Sequence, residues 1–131
     1  MATKSMGYDS PAYLAVHQDN LGSIAAAASS ASPRFVAMAA AILKSVTLRI
    51  QTAPAAGDAI NVFQLSGTTT TTYAAGTIGS GATGFVNFAL ATQPVLAQGD
   101  AYWVAKGTDT VGTYTAVAIE RVIQPLANVT V

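Results

Sequence analysis

The stretch from Leu96 to Thr108, LAQGDAYWVAKGT, has a counterpart in AAGDAINVFQLSGT from Ala55 to Thr68. In each copy a Gly-Asp pair (Gly57-Asp58, Gly99-Asp100) marks a turn, and the apolar and aromatic run after it reads as a strand. The match extends backwards, where Val46, Leu48, Ile50, Thr52 and Pro54 align with Val86, Phe88, Leu90, Thr92 and Pro94 at an offset of 40. The Gly-Asp turns align at an offset of 42, and Thr72-Tyr73 aligns with Thr113-Tyr114 at 41. One unit therefore occurs twice: alternating strand, Pro loop, Gly-Asp turn, strand, Gly-Thr turn, Thr-Tyr strand. Stacked-repeat architectures need about three or more copies, so two copies read as two halves of one sandwich.

Around these units the chain keeps the same character. Val46, Leu48 and Ile50 alternate with Thr47, Arg49 and Gln51, the pattern of a strand with one dry face. Further strands are expected at Ala12–Gln18, Arg34–Ala39, Ala59–Leu65, Thr72–Thr77, Phe85–Leu90, Ala101–Lys106, Thr113–Val122 and Ala127–Val131. Asp19-Asn20-Leu21-Gly22 reads as a turn, and Ser23–Ser32 as a loop with one helical turn at most, having no apolar stripe. Thr68–Thr72 and Gly76–Gly84 read as loops at the sandwich ends. Short strands between Gly, Asp, Thr and Pro turns, with no amphipathic helix, define an all-β, single-domain antiparallel β-sandwich. Jelly-roll-like and immunoglobulin-like topologies both remain open. Residues 1–11 form a short N-terminal arm and residues 12–131 the sandwich domain. The expected core is Val46, Leu48, Ile50, Ile60, Val62, Val86, Phe88, Leu90, Tyr102, Val104, Val117 and Ile119.

Six basic and six acidic residues give a net charge of zero and only 9% charged residues, far below the roughly 25% of typical domains. That balance gives no footing for nucleic acid, an anionic membrane or an acidic substrate. It leaves little electrostatic protection against self-association, so much of the surface is expected to be either hydroxyl- and amide-covered or buried against partners. There is no cysteine, no apolar run of about 18 residues, and no signal-peptide core after Lys4.

Catalytic parts are missing. The single histidine, His17, stands near Asp19, but no nucleophile-elbow pattern accompanies them. The carboxylates are Asp9, Asp19, Asp58, Asp100, Asp109 and Glu120; Asp58 and Asp100 hold equivalent turn positions, where an Asp bonds its own backbone. No stretch clusters oxygen ligands for calcium, the glycines at 76, 79, 81 and 84 do not end in a phosphate loop, and Asn128-Val129-Thr130 is a bare sequon. The expectation is a non-enzymatic protein with no catalytic residue, cofactor or metal.

The layout of a short arm followed by VTLRIQTAPAAGDAINVF, VLAQGDAYWVAKGTDT and the closing AIERVIQPLANVTV resembles the capsid decoration (cement) proteins of tailed bacteriophages. The resemblance implies a virion structural protein, assembled in the host cytoplasm, that binds the major capsid protein on the outer capsid surface as a homotrimer and stabilises the lattice. From the charge balance, no nucleic-acid or membrane partner is expected. The interface candidates are Tyr8 on the arm, Tyr13 on the first strand, and Trp103. Aligning the Gly-Asp turns pairs Asn61 with Trp103, so Trp103 is expected to point away from the core, and either to be exposed in the subunit and covered in the assembly or to pack under the N-terminal half on a covered outer face. The alternative is a carbohydrate- or receptor-binding module with Trp103, Tyr102 or Tyr73 as a sugar platform.

Overall fold

The computed structural model describes residues 16–122, with side-chain surroundings for residues 18–118. Among the described residues nine strands make two antiparallel sheets: β1 (Val16–Ile24), β2 (Phe35–Val36), β3 (Ala41–Thr52), β4 (Asp58–Ser66), β5 (Thr69–Ile78), β6 (Gly84–Ala89), β7 (Val95–Leu96), β8 (Ala101–Ala105) and β9 (Thr113–Val122). One sheet runs β1-β9-β3-β6 with β7 also on β3, and the other runs β2-β8-β4-β5. With the two-residue β7 set aside, the strands follow the order first-eighth-third-sixth facing second-seventh-fourth-fifth. That is a jelly roll, which resolves the two topologies left open by the sequence.

The core lies between the sheets. On β3, Val46, Leu48 and Ile50 point inwards while Arg49 and Gln51 are exposed, as the alternation requires. A bulge between Leu43 and Ser45 resets the phase, so Ala41 and Leu43 also face in. Ile60, Val62, Leu90, Tyr102 and Val104 are buried, and Val86 and Phe88 pack partly buried against them. The expected facing of β9 is corrected: Tyr114, Ala116 and Ala118 are buried and Val117 faces outwards. Ala116 sits opposite Leu48 and Ala118 opposite Val46, where small side chains leave room for the large ones of facing strands. Ile119 lies outside the residues whose side chains are described.

Three expected breaks prove to be strand. The segment Asp19–Gly22 continues β1 through a bulge between Asn20 and Gly22, where Gly22 takes φ of 89° and lets both Leu21 and Ile24 reach the core. Thr69–Thr72 begins β5, because the β4–β5 hairpin turns in two residues, Gly67-Thr68, with Gly67 left-handed at φ of 61°. β5 then runs on to Ile78, with Gly76 vacating the space that the Phe88 ring fills.

The two repeat units meet as a pseudo-symmetric pair. β3 pairs with its counterpart β6, and the directly opposed residues Thr47 and Asn87 are equivalents at the 40-residue offset. β4 pairs with its counterpart β8, and the opposed Val62 and Val104 are equivalents at the 42-residue offset. One approximate two-fold axis thus passes through both sheets. It fails at the third strand, since β5 stays beside β4 whereas β9 joins the opposite sheet.

The free side of β8 is covered by the chain from Ser29 to Ala37. Ser32 N–H donates to Val104 O at 2.8 Å, and Val104 N–H donates to the Ser32 hydroxyl at 3.1 Å. The hydroxyl thus does the work of a ladder carbonyl where Pro33 and a register change interrupt pairing.

Candidate functional site

Asp58 opens β4 and Asp100 immediately precedes the equivalent β8, and each anchors a buried polar cluster at one end of the sandwich. At the Asp100 end the chemistry is local. Asp100 Oδ2 accepts the N–H of Ala97, three residues back, at 2.9 Å, and the amide of Gln64 at 3.0 Å. Gln64 also donates to Val95 O at 2.9 Å and accepts the Tyr73 hydroxyl at 3.0 Å. The Ala97 N–H, followed by the Gln64 amide, holds the Asp100 carboxyl below its ordinary range. Here the turn reading of the sequence holds.

It fails at Asp58, which bonds no backbone of its own turn. Asp58 Oδ1 accepts the N–H of Gly107 and Oδ2 accepts the Tyr114 hydroxyl, both at 2.8 Å. Lys106, in phase with Tyr102 and Val104 on the core side of the strand, places Nζ 3.6 Å from Asp58 Oδ2 and 3.6 Å from Asp109 Oδ2. Nζ donates instead to Gly112 O at 2.7 Å and Ala26 O at 3.2 Å. Asp109 accepts four backbone N–H groups, from Ala55 and Ala56 on one oxygen and Val111 and Gly112 on the other. The Gly112 bond foremost, aided by the other three, draws the Asp109 pKa down to about 2. A Cβ on Gly112 would collide with the Tyr114 hydroxyl, so this position has to be glycine. Burial, then the bond to Asp58, pushes the Tyr114 hydroxyl pKa far up, so it remains a donor. A lysine at a core-phase position of a strand was the one sequence signal for this cluster, since a buried ammonium demands counter-charge.

Tyr102 is fully buried and donates to Asp19 on β1; burial, then this bond, raises its pKa strongly. The His17 side chain lies outside those described, so the His17–Asp19 pairing has no geometry to report. Among the described residues no group of three or more His, Cys, Asp or Glu is gathered that could hold a metal ion.

Of the interface candidates, Tyr8 and Tyr13 lie outside the described residues. Trp103 does point away from the core, opposite Phe63 on the outer face of its sheet. Its expected exposure is corrected: the residue is only 9% exposed. The Phe63 ring stacks against it at 5.6 Å and 12°, and the Arg34 guanidinium lies 4.1 Å from its ring centre. The sugar platform proposed from Trp103, Tyr102 and Tyr73 is likewise withdrawn, since Tyr102 is core and Tyr73 is half-buried on Gln64.

The two outer faces differ. On the four-stranded sheet, Val36, Ala101 and Leu65 form one cross-strand row and Trp103 and Phe63 the next, with Arg34 as the charge above them. On the five-stranded sheet the outer face carries Thr47, Arg49, Gln51, Asn87 and Thr115, with Asn87 donating to Thr47 at 2.6 Å and Gln51 to Thr115 at 2.7 Å. Phe85, 71% exposed, stands on that face opposite Arg49.

No protein-family model and no curated protein matches the chain. Solved structures similar to it include chitosan-binding module 1 of a chitosanase/glucanase from Paenibacillus sp. IK-5, at 14% identity and a TM-score of 0.47, over 81% of this chain and 94% of that one. A xylan-binding domain from CBM 22 is similar at 15% identity and a TM-score of 0.41, over 72% of this chain and 65% of that one. The infectious bursal disease virus Gx strain structure is similar at 12% identity and a TM-score of 0.34, over 91% of this chain and 40% of that one. Likenesses of this degree carry no inference about function.

Proposed function

We propose that the chain is a non-enzymatic structural module that works by surface contact, through the outer face of its four-stranded sheet. The observation that carries this is the composition of that face: Val36, 56% exposed, continues through Ala101 and Leu65 beside the Phe63–Trp103–Arg34 stack. Met38, 84% exposed, follows two residues after Val36. A contiguous apolar surface of this kind fits an interface better than open water. In its finer form this is the capsid-decoration reading: a homotrimer seated on the major capsid protein at the outer surface of a virion. That identity rests on the sequence layout alone. The jelly roll itself serves viral shells and lectins alike, so it does not choose.

Light scattering on the eluting protein tests the proposal. The wild type should elute as an oligomer, and the double variant Val36→Asp, Leu65→Asp as a monomer with its melting temperature little changed. An unchanged oligomer in that variant, or a monomeric wild type that also fails to bind capsids, sinks it.

A carbohydrate- or receptor-binding module is the second reading, favoured by Phe85 and its neighbours. An exposed ring beside the guanidinium of Arg49 and the amides of Gln51 and Asn87 offers a stacking surface and hydroxyl partners to a neutral sugar. Retardation in gels containing neutral polysaccharides, lost in Phe85→Ala, would favour it over assembly.

A further inference from the structure

We infer that Lys106 and Asp58 join through an amide bond between the Lys106 amine and the Asp58 carboxyl carbon, cross-linking the chain within itself. This goes beyond the proposed function and is independent of which partner the outer faces take. Both side chains are wholly buried, on adjacent strands of one sheet, at the start of β4 and just after β8. A simple salt bridge would close to about 2.7–2.9 Å. Here Nζ approaches neither carboxylate oxygen more closely than 3.6 Å, so it lies beside the Asp58 carboxyl without closing the short charge-assisted bond of an ion pair.

The surrounding bonds prepare each group for a different task. Nζ gives two hydrogens to backbone carbonyls, of Gly112 and Ala26, which hold the nitrogen in place beside the Asp58 carboxyl. The Asp58 carboxyl has a donor on each oxygen, Gly107 N–H on Oδ1 and Tyr114 O–H on Oδ2. Donors so placed steady the negative charge that oxygen acquires when a nucleophile adds to the carbon. Asp109, ionised and held by four N–H groups, lies 3.6 Å from Nζ, where its charge steadies the positive charge the nitrogen acquires as it bonds.

The step balances without a co-reactant. A proton passes from the Lys106 ammonium to the Asp58 carboxylate, giving a neutral amine and a carboxylic acid. The nitrogen lone pair forms the C–N bond, and the carboxyl C=O opens to a tetrahedral centre. A nitrogen proton passes to the Oδ2 hydroxyl, which leaves as water, and the C=O re-forms as an amide. No electron changes hands.

Intact mass measurement of the full chain in denaturant decides the matter. The wild type should weigh one water less than its sequence, and digestion should yield a branched peptide joining the Lys106 and Asp58 segments. A full sequence mass after prolonged incubation of the folded protein overturns the proposal. Water loss that persists in Lys106→Arg also overturns it, because that loss would be an internal imide at an aspartate. Asp58→Asn should lose one ammonia instead of one water and give the same branched peptide; a missing branch in a folded Asp58→Asn protein counts against the chemistry.

Discussion

The Asp58 and Asp100 ends of the sandwich occupy equivalent positions in the repeated unit and hold themselves together differently. The equivalence extends to their partners, because Gln64 and Lys106 stand at the same 42-residue offset as the two aspartates. Each reaches across to the aspartate of the other copy, Gln64 to Asp100 and Lys106 to Asp58. At one end the partner is a neutral amide, and the cluster closes within one turn and its neighbours. At the other it is a charge, which requires a second carboxylate, a tyrosine from the opposite sheet and two backbone carbonyls to satisfy it. The geometry is the same while the chemistry differs. A repeated scaffold can thus carry a neutral staple at one end and a charged cluster at the other.

The sharpest way to break the comparison is to remove the nitrogen partner at each end. Lys106→Met leaves two buried carboxylates facing each other, and chemical denaturation should show a loss of about 3–5 kcal/mol. Gln64→Leu strips an amide from Asp100 and a partner from the Tyr73 hydroxyl, and should cost less, about 1–3 kcal/mol. If the two losses are equal, the charged end is no more demanding than the neutral one.

The glycines before the aspartates give a smaller contrast. Gly99 has φ of 93°, so Gly99→Ala should lose about 1–2 kcal/mol. Gly57 lies outside the left-handed region, and a Cβ there would meet only Thr77 Cγ2 at an ordinary 3.6 Å. Gly57→Ala should stay within about 0.5 kcal/mol in thermal melts. The subtlest effect is acid sensitivity. The Asp109 pKa falls from an ordinary 3.8 to about 2 on folding, so its contribution is complete above the higher value and lost as pH drops through the lower. Stability measured between these values should decline less steeply in Asp109→Asn than in the wild type.

Much of this architecture was legible in the chain. Alternation fixed the facing of β3, and the repeated Gly-Asp-Ala unit located β4 and β8 and even the outward direction of Trp103. What alternation cannot convey is which small residues are inside: on β9 Val117 looks like core and Ala116 like surface, and the opposing Leu48 and Val46 reverse that. Nor does a local pattern reveal cover from elsewhere, so the chain left open whether the outer face over Trp103 is covered and did not show that Arg34 and Phe63 would cover it. Asp58 misled for a third reason. Its sequence neighbours match those of Asp100, whereas its bonding partners lie 48 and 56 residues further along the chain.

The serine-for-carbonyl exchange beside β8 bears on how large any assembly can grow. An exposed strand edge is a template on which other chains can extend a sheet without limit. Along Ser29–Ala37 that template is spoiled, because Ser32 directs its bonding groups inwards to Val104 and Pro33 has no hydrogen to offer outwards. Sheet-by-sheet growth, the route to fibrils, is closed on that side, and contacts there have to be made by faces, which can saturate.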